Sequence, residues 1–233
     1  MKTVAIIGNP NVGKTVLFNR LTGMRQHVGN WPGVTVEKKT GNFVFGGVEI
    51  EVVDLPGTYS LASRAKDELI SRNFIVEERP DVVVDIVDAT NLERNLYLTL
   101  LLLELEANLV VALNRWDMAR ERRISIDVES LSDILGAPVV PIVATTGEGL
   151  DLLKEAIVAA SKAGGVERGP AIGYGEDVEE AIKEVEEAVR GDPALSGYPS
   201  RWLAIKALEG DGEVMRLLEA SRYRDEIMAR VGR

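Results

Sequence analysis

Gly8-Asn9-Pro10-Asn11-Val12-Gly13-Lys14-Thr15 fits the pattern GxxxxGK[ST], and it stands between a short β-branched run, Thr3–Ile7, and a helical pattern over Lys14–Thr22. Strand, loop and helix in that order are what a phosphate-binding loop requires. Its glycines let backbone N–H groups close around a polyphosphate, and the helix that follows adds the positive end of its dipole. The expected phosphate contacts are Gly8, Asn9, Pro10, Asn11, Val12, Gly13, Lys14, Thr15 and Val16. Lys14 should reach the β and γ phosphates, and the Thr15 hydroxyl should bind magnesium.

Outward from this loop, short β-branched runs alternate with longer helical patterns, the signature of an α/β fold. Strands are expected at Thr3–Ile7, Gly41–Phe45, Val48–Val53, Val82–Val87, Leu109–Leu113 and Val139–Val143, and helices at Lys14–Thr22, Lys66–Glu77, Leu92–Leu105, Val128–Leu135 and Gly149–Ala160. Gly46-Gly47 reads as a two-residue hairpin turn, which makes one of the six strands antiparallel in a mostly parallel sheet. Leu100–Leu103 belongs to a helix apolar nearly all round and expected to be buried against the sheet. After the glycines and proline between Gly164 and Gly175 the strand signal ends, and three apolar sets recur at helical spacing. The division is therefore a first domain over 1–163, a linker over 164–175 and a small all-helical domain over 176–233. The acidic residues of Glu176–Glu187 lie opposite an apolar stripe and read as a solvated helix face rather than a metal site.

Composition removes several alternatives. The net charge of −10 argues against nucleic-acid binding through general electrostatics. Zero cysteines exclude a disulfide framework and any thiolate chemistry, and one histidine, His27, excludes a histidine-rich metal cage. No apolar run approaches the roughly 18 residues of a membrane span. The chain reads as soluble.

Asn114-Arg115-Trp116-Asp117 follows the fifth expected strand and selects the base. A carboxylate at Asp117 accepts from N1–H and the 2-amino group of guanine together, whereas adenine offers neither donor on that edge. Such a mismatch is worth roughly four or five orders of magnitude. Asn114 should brace the loop, and a backbone N–H in Ala144-Thr145-Thr146 should meet the guanine 6-oxo group. Asp54-Leu55-Pro56-Gly57 supplies an aspartate for magnesium through a water and a Gly57 N–H for the γ-phosphate. Gly33, Val34 and Thr35 lie in a Gly/Pro-rich loop, His27–Thr35, which should reorder so that the Thr35 hydroxyl joins the magnesium shell only when closed. His27 reads as a surface residue of that loop. These elements, in this order, spell a GTPase.

Asn30-Trp31-Pro32-Gly33-Val34-Thr35-Val36-Glu37, Asp54–Leu61, and Asp88-Ala89-Thr90-Asn91-Leu92-Glu93-Arg94-Asn95-Leu96-Tyr97-Leu98 resemble the G domain of the ferrous iron transport protein B family, FeoB, and the tail with Arg201–Lys206 and Leu208–Asp211 resembles its helical domain. The resemblance implies a P-loop GTPase fold followed by a helical domain that strengthens GDP binding. It also implies that this chain is the cytosolic piece of a longer protein continuing into a membrane-embedded iron permease. GTP or GDP, Mg²⁺ and K⁺ are the implied cofactors. Asn11 is implied to help hold potassium, with carbonyls of the Gly29–Gly33 loop, where other GTPases use an arginine finger. The implied catalytic set is Lys14, Asn11, Thr35 and Gly57. Expected partners are guanine nucleotide, the permease domain and a second copy of the chain, with no nucleic acid. Three positions depart from the pattern. Val16 lacks a second hydroxyl near the α-phosphate, Arg115 replaces a lysine or an apolar residue and offers its stem to the base, and Thr145 replaces a small alanine. Thr58 stands where many signalling GTPases place a water-positioning glutamine, so turnover should be slow. The alternatives are a soluble RNA-associated GTPase of ribosome assembly and a GTP-binding module that scarcely hydrolyses.

Overall fold

The computed structural model describes residues 1–23, 26–62, 65–163 and 172–232. The described residues divide into two compact units, one within Met1–Leu61 and Asp67–Pro170, the other within Ala62–Lys66 and Ala171–Arg233. Of the expected linker, residues 164–171 lie outside the described residues.

In the first unit, seven strands form one sheet in the order β2-β3-β4-β1-β5-β6-β7. They are β1 (Lys2–Gly8), β2 (Gln26–Asn30), β3 (Glu37–Phe45), β4 (Val48–Asp54), β5 (Val82–Asp88), β6 (Leu109–Asn114) and β7 (Val139–Pro141). Only β3 runs against the others, antiparallel to both β2 and β4. Gly46 and Gly47 make the turn into β4 with φ of 56° and 76°, the left-handed pair that such a hairpin requires. All six expected strands are present, and β2 is a seventh. It was expected as loop because it alternates nothing: four of its five residues are exposed, and it is held by backbone pairing from Gln26 opposite Gly41 to Asn30 opposite Glu37. A strand wet on both faces leaves no hydrophobic period to read.

The helices of this unit are α1 (Lys14–Thr22), α2 (Lys66–Asn73), α3 (Leu92–Glu104), α4 (Trp116–Glu121), α5 (Val128–Leu135) and α6 (Leu150–Ala163). The helix expected over Lys66–Glu77 breaks after Asn73 into a π turn, Phe74–Glu78, in which the consecutive Phe74, Ile75 and Val76 are all buried. A widened turn brings adjacent residues to one side, which a 3.6-residue period cannot. Leu102 is buried as expected, but Leu100 remains exposed on α3.

β1 lies between β4 and β5, parallel to both. Val4 and Ile6, with Ile50 and Val52 of β4 and Val84 and Ile86 of β5, pack on Leu17, Phe18 and Leu21 of α1 and Leu153 and Ile157 of α6. Residues of the opposite face, Ala5, Ile7, Val53, Val83 and Val87, are buried as well. Burial on both faces explains why β1 reads as a continuous apolar run, whereas β4 alternates at Glu49 and Glu51.

The second unit carries α7 (Glu176–Arg190), α8 (Ser200–Leu208), α9 (Gly212–Glu219) and α10 (Arg224–Val231). Trp202 to Ala207 are all buried, so α8 is its central helix, and the Lys206 ammonium escapes to Glu209 at 2.8 Å. Ile182, Val185, Ala188 and Val189 form the expected buried stripe of α7, while Val178 stays exposed. Asp192 accepts from the Ala194 N–H and the Ser221 hydroxyl. Arg201 grips the Glu179 carboxylate through two nitrogens at 2.8 Å each, and this holds Glu179 down at about 2.

Asp85, in the middle of β5, is the unusual core residue. It is fully buried; Thr99 of α3 donates to its Oδ2 at 2.6 Å, and its Oδ1 has no hydrogen-bond partner. Burial pushes its carboxyl up from 3.8 to about 7, against the opposing hydrogen bond from Thr99. The unfolded chain therefore releases this proton first, and stability falls as pH rises from about 4 to 7 and then levels off. Asp85→Asn should remove that slope. In denaturant titrations, its stability relative to the parent should rise by roughly 2–3 kcal/mol between pH 5 and pH 8. A constant difference across that range would show that Asp85 does not carry the titration.

Candidate functional site

Strands β1, β4, β5 and β6 end at Gly8, Asp54, Asp88 and Asn114, all on the carboxyl edge of the sheet. In open α/β sheets that edge is where ligands bind. A pocket of about 640 Å³ lies there, lined by Asn9, Pro10, Asn11, Gly13, Lys14, Thr15 and Val16, by Gly57, by Asn114, Arg115, Asp117 and Met118, and by Val143, Ala144 and Thr145. The expected phosphate-loop residues other than Gly8 and Val12, and both base-reading segments, thus converge on one cavity, whereas Asp54 is not among its lining residues. Met118 and Val143 are additions. The first lies one residue beyond Asp117 in the first turn of α4, and the second ends the last apolar run, so only their neighbours in sequence hinted at them.

Asn114 holds this cavity together. Its Nδ2 donates to the Val12 carbonyl at 2.8 Å, and its Oδ1 accepts from the Ala144 N–H at 3.0 Å. Both bonds are buried, so the amide cannot shift. That fixes a requirement at Gly13, whose φ is 101° and where a Cβ would come within 2.5 Å of Asn114 Nδ2. Only glycine fits there. In this segment the Ala144 N–H is taken by Asn114 and the Thr146 N–H by the Val143 carbonyl at 3.2 Å. Arg20 of α1 donates to the Thr145 carbonyl and so holds this segment from the other side.

Lys14 donates to the Asp54 carboxylate, and both side chains are largely buried. The loop after β4 is tied to the phosphate loop, with the Thr58 N–H donating to the Gly8 carbonyl at 3.2 Å. The Thr58 hydroxyl is turned back onto the Ser60 carbonyl at 2.7 Å and its side chain is buried. Among the described residues no group of three or more His, Cys, Asp or Glu side chains is placed to hold a metal ion. The oxygen donors on hand, a single carboxylate at Asp54 and the Thr15 hydroxyl, suit a magnesium ion whose remaining ligands are phosphate and water.

The chain matches the family profile of ferrous iron transport protein B over residues 2–157, and that of the FeoB cytosolic helical domain over residues 174–232. It belongs to the FeoB family. The Fe(2+) transporter FeoB of Salmonella typhimurium is 44% identical over 97% of this chain, and the Fe(2+) transport protein A/FeoB fusion protein of Porphyromonas gingivalis is 44% identical over 92%. The chain spans 30% and 26% of those two proteins. The solved cytosolic domain of T. maritima FeoB in a GDP form is 40% identical, covers 100% of this chain and 98% of its own, and superposes with a TM-score of 0.88. Its GMPPNP form gives 0.87 with the same identity and coverage. An S. thermophilus NFeoB N11A mutant bound to mGDP is 37% identical, with full coverage of this chain, 88% of its own and a TM-score of 0.89. Membership in the FeoB family sets aside the ribosome-assembly alternative.

Two expectations about side-chain placement differ from the observed structure. Gly33, Val34 and Thr35 do not line the pocket. They form the tip of the β2–β3 hairpin, closed by the Trp31 N–H on the Val36 carbonyl at 2.9 Å and the Val34 N–H on the Trp31 carbonyl at 3.2 Å, and Thr35 is exposed. Gly29, expected in a carbonyl cage with Asn11, is instead paired within β2 opposite Lys38. Backbone pairing across a hairpin satisfies these groups locally, so the segment has a stable place away from the cavity. Trp31 pins it, stacked edge-on against Phe74 at 5.4 Å with the Lys38 ammonium 4.8 Å from its ring. Arg115 lines the pocket as expected, and its guanidinium bonds protein groups at the rim.

Asn114→Ala deletes both halves of the buried amide bridge and strands the Val12 carbonyl and the Ala144 N–H. The expected loss is roughly 2–4 kcal/mol of stability. Urea unfolding of the two proteins measures it, and a loss below about 0.5 kcal/mol would mean that water replaces the amide at both ends.

Proposed function

We propose that this chain binds and hydrolyses GTP as the cytosolic regulatory part of a ferrous-iron membrane transporter. The observation that carries the reading is the single cavity with the Lys14 phosphate loop at one end and the Asp117 carboxylate at the other, joined by Asn114. The names of the relatives supply the transport context. In this reading the chain divides into a G domain over 1–163, a linker over 164–175 and a helical domain over 176–233, which the profile matches over 2–157 and 174–232 support.

In this reading the phosphate-loop N–H groups and Lys14 bind the polyphosphate, and Lys14 leaves Asp54 to do so. Thr15, and Asp54 through a water, would hold magnesium, which would supply charge neutralisation for the phosphates. Asp117 accepts from guanine, and the Thr145 N–H donates to its 6-oxo group. The hairpin tip must swing inward for Thr35 to complete the magnesium shell, and Gly57 offers its N–H to the γ-phosphate. Thr58, turned onto Ser60, offers no amide to orient the attacking water. Asn11 would help to hold a potassium ion, which would supply positive charge to offset that developing on the phosphates.

GTP and GDP should bind at micromolar concentrations or below, with ATP negligible. Asp117→Asn, which swaps an acceptor for an amide, should shift preference towards xanthine nucleotides. Titration with fluorescent nucleotides tests this, and equal affinity for ATP and GTP would remove Asp117 from base recognition.

Turnover should be about 10⁻⁴ to 10⁻² per second, the range of unassisted small GTPases. Potassium should raise it several-fold over sodium, and Asn11→Ala should abolish that difference with little change in GDP affinity. Phosphate release measured in the two salts decides the point, since equal rates would leave Asn11 without a role in the reaction.

A further inference from the structure

One guanidinium at the rim of the pocket joins the ends of three strands. Arg115, directly after β6, donates through Nη1 to Asp88 Oδ2 at 2.7 Å and through Nη2 to the backbone carbonyl of Asn11 at 2.5 Å. Asp88 closes β5, and Asn11 lies in the loop that leaves β1. The aspartate is the fixed end. Its Oδ1 accepts from the N–H and hydroxyl of Thr90 at 2.8 and 2.7 Å, and its own N–H donates to Asn95 Oδ1 at 3.3 Å. Its side chain is 10% exposed, against 37% for Arg115.

Asn11 is the other end. It has φ of 67°, and Arg115 has φ of 60°, both in the left-handed region that side chains disfavour. Such conformations persist where the surroundings over-determine them. For Arg115 the backbone is set by the first turn of α4, where the Ala119 N–H donates to its carbonyl at 3.0 Å, and by the Trp116 N–H on the Ile142 carbonyl at 3.2 Å. For Asn11 the corresponding restraint is its carbonyl's bond to the Arg115 fork. A planar guanidinium reaches two separate acceptors with one rigid group, whereas an ammonium is a point donor and an apolar side chain offers nothing.

We propose that Arg115 is a positioning residue that slows release of the bound guanine nucleotide, by clamping the Asn11 backbone of the phosphate loop to Asp88 at the end of β5. Release requires the N–H cradle around the phosphates to relax, and the clamp holds its least favourable dihedral in place. The contact does not read the base, so it governs how long a nucleotide stays rather than which one binds. This inference rests on the guanine-nucleotide reading above.

The test is stopped-flow release of a fluorescent GDP analogue from the full 233-residue chain. Arg115→Met should release it about tenfold faster, the scale of one charge-assisted hydrogen bond, while GDP is still preferred to ADP. Arg115→Lys, which keeps one charged donor, should recover part of the slow release. Asp88→Asn attacks the far end of the clamp and should also speed release, and the double variant should be no faster than the faster single one. Release from Arg115→Met within twofold of the parent would overturn the clamp. So would effects of the two substitutions that simply multiply. A parent chain that failed to prefer GDP over ADP would instead sink the proposed function, so the two failures are distinguishable.

Discussion

The side-chain amide of Asn114 donates to the Val12 carbonyl and accepts from the Ala144 N–H, and the geometry of the site depends on that bridge. It joins the loops after β1, β6 and β7 by two buried hydrogen bonds to backbone, so neither loop can drift without stranding a polar group in the interior. The bridge also dictates Gly13, since any Cβ there would meet the immobile amide. A phosphate loop and a base-reading loop distant in sequence are thereby held at one spacing, that of the two ends of a nucleotide.

Around this bridge the arginines act as outer ties. Arg20 reaches from α1 to the Thr145 carbonyl, and Arg115 reaches from the start of α4 to Asn11 and Asp88. Both donate to loop carbonyls that have no regular strand partner, which is how an irregular segment becomes rigid without burying apolar surface. The Lys14–Asp54 ion pair belongs to a different class, because its members are the groups expected to meet phosphate and magnesium. Two charges that satisfy each other in a largely buried place can be exchanged for a ligand of matching charge without stranding either one.

The hairpin from Gln26 to Phe45 has its own logic. Trp31 is buried against Phe74 in the π turn, Lys38 covers the ring, and backbone bonds close the tip. Thr35 rides on that tip, exposed, with a Gly33 at φ 71° beside it. Trp31 thus anchors the near side of the tip itself, and exposed Thr35 lies four residues beyond that anchor.

Most of the architecture was legible in the chain alone. β1 and β6 are buried on both faces, so their Val, Ile, Leu and Ala runs appear uninterrupted, β4 shows the alternation of Val48-Glu49-Ile50-Glu51, and Gly46-Gly47 announces its turn by requiring positive φ twice. The phosphate loop and Asn114–Asp117 were legible because their chemistry is fixed by short-range spacing. Strand β2 was not, since His27–Asn30 are exposed and the strand is held by pairing with β3 and by the Gln26 amide on Asn19, Thr22 and Gly23, interactions that leave no hydrophobic pattern. The π turn at Phe74–Glu78 was hidden for a related reason: a widened turn is selected by what packs against it. The role of Arg115 is the clearest division between the two sources of information. Sequence placed it beside the base by its position in the motif. The tertiary structure brought Asp88 and the Asn11 carbonyl within reach of its fork, contacts 27 and 104 residues away that only strand pairing in the folded sheet can create.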